Sequence, residues 1–190
     1  MEERLGAAER QVDRLGHLVR ELLDVSRLAE GRLRLEPAPM DLTELAHEVL
    51  QRFEPEAASA GAPLTLERDG VVCGHWDRSR LDQVLTNLVS NALKYGGGRP
   101  VALRVAPRAD GGARLWVRDE GIGIPLSQQG RLFQRFERAS GSERMSGLGL
   151  GLWIARQMVE AHGGRIHLHS QAGAGTTVCV ELPPEPPVAG

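Results

Sequence analysis

The chain has 190 residues, of which 41% are hydrophobic and 25% charged, with a formal net charge of -2. That suffices for one compact domain with a real core plus an appendage, and it lacks the basic excess of a nucleic-acid binder. No apolar run approaches membrane-spanning length, Met1 to Arg4 do not open a signal peptide, and the distant Cys73 and Cys179 match no metal spacing and read as thiols of a reducing compartment.

Residues 1–30 predict one amphipathic helix. Leu5, Ala8, Val12, Leu15, Val19, Leu22, Ser26 and Ala29 recur at a/d spacing, with charges on the other side. No second helix of this kind follows, so the stripe needs another copy of the chain or a segment outside it as partner. Residues 31–40, with Pro37 and Pro39, read as a linker. Asp41 and Glu44 then form a capping box that opens a helix ending near Ala60, ahead of Gly61 and Pro63.

Leu64–Glu67 and Val71–Trp76 read as short strands, and Asp77 as the N-cap of a helix running to Tyr95. Val101–Ala106 and Ala113–Asp119 alternate in polarity around Asp110, Gly111 and Gly112, a hairpin signal. The stretch from Pro125 to Ser146 has no strong period. A helix is expected from Gly149 to His162, closed by Gly163 and Gly164. A last hairpin pairs Arg165–Ser170 with Thr176–Leu182, leaving a frayed, Pro-rich tail over residues 184–190.

Three blocks carry chemistry. On the helix after Asp77, Asn87, Asn91 and Lys94 share a face beside the apolar stripe. Asparagine competes with the backbone inside helices, so two of them one turn apart need a reason. Amide oxygens that ligate Mg²⁺ supply one, and a pair of solvated or capping amides is the other reading. Lys94 is the only lysine among 23 basic residues, beside the only tyrosine, Tyr95. A compact ammonium in an arginine-rich chain hints at a specific task.

In the second block, Leu115, Val117 and Asp119 share strand parity, which aims the Asp119 carboxylate toward the core side. There it needs a partner, and the N–H edge of a base would serve. Gly121 and Gly123 leave room for a base to lie on backbone. The third block sets Gly147, Gly149 and Gly151 ahead of a helix whose free N–H groups and positive dipole end suit phosphate. Arg131, Arg135, Arg138 and Arg144 precede it and could reach a triphosphate. His167 and His169 share a strand face that reads as surface, and His162 reads as a helix C-terminal residue whose charge the dipole welcomes.

These residues resemble the catalytic and ATP-binding part of a bacterial sensor histidine kinase, of the Bergerat (GHKL) fold shared with gyrase and MutL. The resemblance runs from about Val12 to Leu182. It rests on Leu22–Leu28, the N box Asn87–Tyr95, the G1 box Asp119–Gly123, the F box Leu132–Phe136, the G2 box Gly147–Leu152, and the endings Val159–Arg165 and Gly173–Thr177.

It implies an α+β, two-layer sandwich, with a mixed sheet carrying helices on one face and a long helix in front. Residues 1–30 would be the second helix of a dimerisation hairpin and residues 41–183 the ATP-binding domain. ATP and Mg²⁺ would be the cofactors. By the same resemblance Asn91 would be the principal Mg²⁺ ligand, Asn87 a partner of the ion's outer shell or of phosphate, and Lys94 a phosphate ligand. Tyr95 would pack on the base and Asp119 accept the adenine amino group. Gly121, Gly123, Ile124 and Thr176 would line the base pocket, and Phe133 and Phe136 would anchor the lid. Gly147, Leu148, Gly149, Leu150, Gly151 and Leu152 would wrap the phosphates, with Arg138 reaching the γ-phosphate.

A response-regulator receiver domain would be the partner of a homodimeric, cytoplasmic kinase, with no nucleic acid and no membrane segment in this chain. One feature departs from the family pattern. The phosphoacceptor box, a histidine followed by an acidic residue, is missing, because His17 is followed by Leu18, Val19 and Arg20. The histidine would therefore be supplied elsewhere, and this chain alone would not autophosphorylate. The alternatives are a nucleotide-binding scaffold without phosphotransfer and a serine kinase of the anti-sigma type.

Overall fold

The computed structural model describes Gly16, residues 34–137 and residues 148–187. The expected helix over residues 1–30, His17, Arg138, Arg144 and Gly147 lie outside the described residues.

Eleven elements follow Arg34 among the described residues: β1 (Ala38–Asp41), α1 (Leu42–Ala60), β2 (Leu64–Arg68), β3 (Cys73–Trp76), α2 (Arg78–Gly96), β4 (Val101–Pro107), β5 (Ala113–Asp119), α3 (Leu126–Gln129), α4 (Gly151–Ala161), β6 (Arg165–Ser170) and β7 (Thr176–Leu182). Five strands make one mixed sheet in the order β2-β4-β5-β7-β6, with β2 parallel to β4 and the other pairs antiparallel.

Alternation along the strands puts Leu103, Val105, Leu115, Val117, Val178 and Val180 on the side where α1, α2 and α4 pack. The other side carries Arg104, Arg114, Trp116 and Arg118, which are exposed or half-buried. Helices on a single face give the expected two-layer α+β sandwich. Leu45, Val49, Leu81, Leu85, Leu88, Ile154 and Met158 close the core from above.

The local stops act where the sequence puts them. Asp41 accepts from Thr43 N at 2.7 Å and Glu44 N at 3.3 Å, capping α1. The helix ends at left-handed Gly61, φ 68°, with Ala62 N donating to Ala57 O. At the far end of α4, Gly164 N donates to Val159 O, closing that helix as expected.

Two expectations change. The linker contains β1, which pairs antiparallel with β3 in a separate two-stranded sheet, Asp41 opposite Cys73 and Ala38 opposite Trp76. Strand β3 accordingly starts at Cys73 rather than Val71, which is 70% exposed. The glycine-rich approach to α4 is not helical at Gly149, whose φ is +72°, so the helix starts two residues later than expected. The short α3 lies in a stretch read as having no regular structure.

Candidate nucleotide site

The end of α2, the loop after β5, the β6–β7 turn and the start of α4 converge. Asn87 is 6% exposed, and its Nδ2 donates to Gly151 O at 3.2 Å. Its Oδ1 is thereby left as the acceptor end of the amide. Asn91, one turn on, is half-buried. Lys94 is also half-buried and stands 5.0 Å from the centroid of the Tyr95 ring, a cation–π contact that holds ammonium and ring together.

The loop after β5 is seated on the end of this helix. Ile122 N donates to Tyr95 O at 3.2 Å, and a Cβ at Gly121 would overlap that same carbonyl oxygen. From the opposite side, Gly173 N donates to Ile122 O at 2.7 Å, while a Cβ at Gly123, φ +61°, would overlap Gln171 O. The glycines of this block therefore let three backbones touch, which no other residue allows.

Asp119 ends β5 at 7% exposure, opposite Val101 and Thr176. Gly121 N donates to its Oδ1 at 2.8 Å. Burial pushes its pKa above the ordinary 3.8, while hydrogen bonds from the Gly121 and Thr176 backbones pull the other way. A buried carboxylate held against this resistance is suited to a ligand that presents N–H groups.

Gly175, φ +86°, sits so close to Asp119 that an added Cβ would overlap Asp119 O. Gly175→Ala is expected to destabilise the domain by roughly 2–5 kcal/mol, combining left-handed strain with overpacking. Urea melts check this, and an unchanged midpoint would contradict it.

Helix α4 offers the phosphate end. Leu150, at its N-cap, makes no side-chain cap, and among the described residues no side chain is seen to cap its first-turn N–H groups. The segment after α3 leans on this end, with the Arg135 guanidinium 4.4 Å from the Trp153 ring centroid. Phe133 is half-buried, but Phe136 is 61% exposed with φ +63°, and Leu132 is the buried residue of the F box. Residues 138–147, which Phe133 and Phe136 were expected to anchor, lie outside the described residues. Leu148 is half-buried and Leu150 buried, so they pack behind the glycines. Ile124 contributes its backbone: its N donates to Ser170 Oγ at 2.8 Å and its O accepts from Gln129 Nε2 at 2.8 Å.

Sequence reading missed Ser170 and Gln129. Ser170 Oγ also donates to Gly175 O at 2.8 Å and lies 2.9 Å from Thr176 Oγ1, and Gln129 reaches Ser170 O. Together they fasten the base-pocket loop to the β6–β7 turn. Strand parity with Ile166 and Leu168 could have flagged Ser170, a polar residue facing the core. His167 and His169 are exposed on β6, and no group of three or more His, Cys, Asp and Glu side chains able to hold a metal occurs among the described residues.

An ATPase module of the kind common to histidine kinases, DNA gyrase B and HSP90 has these parts in this order. The sequence model of that family, "Histidine kinase-, DNA gyrase B-, and HSP90-like ATPase", matches residues 76–186, and the chain belongs to this family.

Within it the relatives are sensor histidine kinases. The chain is 37% identical over 177 residues to the circadian input-output histidine kinase CikA of Synechococcus elongatus, covering 90% of this chain and 23% of that protein. Its fold matches full-length ShkA in complex with AMPPNP, with a TM-score of 0.84 and 27% identity over 99% of this chain and 40% of that one. It also matches histidine kinase ThkA in complex with response regulator protein TrrA, with a TM-score of 0.72 and 26% identity over 90% of this chain and 49% of that one. The chain spans 23% of the length of CikA, and 29% and 20% of two other curated relatives, the sensor protein KinB and the histidine-protein kinase BarA. No helix among the described residues is long and apolar enough to cross a membrane.

Proposed function

We propose that this chain binds Mg·ATP and transfers the γ-phosphoryl group to a histidine supplied by another segment or chain, as the catalytic module of a sensor histidine kinase. The observation that carries the reading is the convergence of two helix amides, a buried carboxylate and the N-terminus of α4 on the second half of α2. Asp119 accepts the adenine amino group, Tyr95 lies against the base, and the start of α4 with Lys94 and Arg138 holds phosphate. The amide oxygens of Asn91 and Asn87 fit Mg²⁺, which takes few protein oxygens and completes its shell with phosphate and water. When bound, the ion neutralises charge between phosphate oxygens.

In the transfer the bond from the γ-phosphorus to the bridging oxygen breaks, a P–N bond forms to the imidazole, ADP leaves, and the ring proton passes to the acidic residue beside the acceptor. Positioning and charge neutralisation carry such reactions. The phosphoryl group then passes to an aspartate of a response-regulator receiver domain. The full-length protein acts as a cytoplasmic homodimer.

The test mixes the chain with Mg²⁺, γ-labelled ATP and a separately purified dimerisation hairpin bearing an acceptor histidine. Acid-labile, alkali-stable label on the hairpin is the expected result. Acid-stable label would point to a serine kinase, and nucleotide binding without label to a scaffold.

A further inference from the structure

His162 is fully buried at the C-terminus of α4, and the nucleotide site does not use it. Its Nε2 lies 3.1 Å from Asp77 N, which can only donate, and its Nδ1 lies 2.7 Å from Met158 O, which can only accept. These two partners fix the neutral tautomer with the proton on Nδ1.

Asp77 is itself a junction. Its Oδ1 accepts from Arg80 N at 3.1 Å, capping α2, and its Oδ2 accepts from Glu36 N at 2.9 Å, holding the segment that leads into β1. The same two helices meet again at the start of α4, where Nδ2 of Asn87, midway along α2, donates to Gly151 O. Helices α2 and α4 thus run antiparallel with a polar bolt at each end of α4, against the first half of α2. Asp77 to Asn87 is ten residues and Gly151 to His162 eleven, so the bolts stand about 15 Å apart along one helix and ~17 Å along the other. The matched spans fix the axial register of an otherwise apolar contact, which side-chain packing alone specifies less sharply.

We propose that His162 is a positioning residue for the nucleotide site: through Asp77 it sets the register of α4 against α2, and so the placement of Gly151 and the phosphate-facing helix start against Asn87 and Asn91. Because Asp77 also holds Glu36, a displacement of the segment entering β1 pulls on the same bolt. The device has a built-in proton dependence. Protonating Nε2 turns the acceptor into a donor facing the Asp77 N–H, and the bolt opens. Burial pushes the ring below its ordinary 6.5, against the hydrogen bond to Met158 and the Asp77 carboxylate, the charged group that acts on it. The neutral ring's contribution to stability is therefore complete above about 6.5 and is lost as pH falls from there through the folded-state value.

This inference rests on the nucleotide reading above, and its test separates the two. Calorimetry with Mg·AMPPNP on the full chain at pH 7.5 compares wild type with His162→Gln, which keeps an acceptor near Nε2 and does not titrate, and His162→Asn, which keeps only the Nδ1-like donor. Affinity is expected to fall about tenfold in His162→Asn and to stay within about threefold in His162→Gln.

On lowering the pH from 7.5 to 5.5, wild type should lose thermal stability beyond what His162→Gln loses. Hydrogen exchange at Ile154, Ala155, Leu88 and Val89 should quicken in His162→Asn alone. Equal affinity in all three proteins, or equal losses in both variants, overturns the proposal. If wild type binds no nucleotide, the kinase reading fails, and the exchange rates and the pH dependence of melting still decide whether the bolt exists.

Discussion

Asp119→Asn is expected to weaken binding of Mg·AMPPNP on the order of a hundredfold while leaving the fold intact. The amide keeps an oxygen that can accept from Gly121 N, so the loop after β5 retains the bond that shapes it. It replaces the other carboxylate oxygen by an N–H donor, which then confronts the donor amino group of adenine. Selectivity should shift with it: a base carrying a carbonyl at position 6, as in an inosine triphosphate, should lose far less affinity than ATP.

The stability arm has a definite sign. Because burial raises the Asp119 pKa, the folded state takes up a proton more readily than the unfolded chain, and stability falls as pH rises from about 3.8 through the folded value. Ionising Asp119 in the unliganded domain buries a charge that the amide does not carry. Calorimetric binding and a thermal melt at pH 7 check both arms. Retained ATP selectivity, or a clear drop in the unliganded melting temperature, would count against the assignment.

How legible this site was depends on how local its causes are. The capping of α1 by Asp41, the seat of Asn87 and Asn91 on one helix face, and the inward aim of Asp119 all follow from periodicities of 3.6 and 2, and the structure has each of them. Strand β1 was not legible, because Pro37 and Pro39 signal a break. Its pairing with β3 comes from residues some 35 positions away, such as Cys73 opposite Asp41. His162 was placed correctly at the end of α4 but given the wrong charge. The helix dipole favours a cation there, and burial outweighs it. The family resemblance implied Phe133 and Phe136 as anchors, and among the described F-box residues Leu132 is the buried one. Composition cannot rank two apolar residues four apart when the element between them is not a regular helix.

Asn91→Ala is expected to reduce phosphotransfer to a supplied histidine by roughly 10²–10³-fold while making the unliganded domain slightly more stable. The two effects separate function from folding. Asn91 is half-buried on α2, and alanine is the better helix former by about 0.5 kcal/mol, so a melt should show no loss.

Asn87 offers the contrast. Its amide is buried and donates to Gly151 O, so Asn87→Ala should cost ~1 kcal/mol of stability through the lost bond and loosen α4 as well. Titration with AMPPNP in excess Mg²⁺ and again in chelator then tells what Asn91 does. If its amide oxygen ligates the metal, Asn91→Ala should weaken binding about tenfold or more in Mg²⁺ and bind like wild type in chelator. Equal weakening in both conditions would mean that Asn91 touches the nucleotide directly or merely shapes the cleft, and the metal assignment would pass to Asn87, whose Oδ1 is the acceptor left over by its bond to α4.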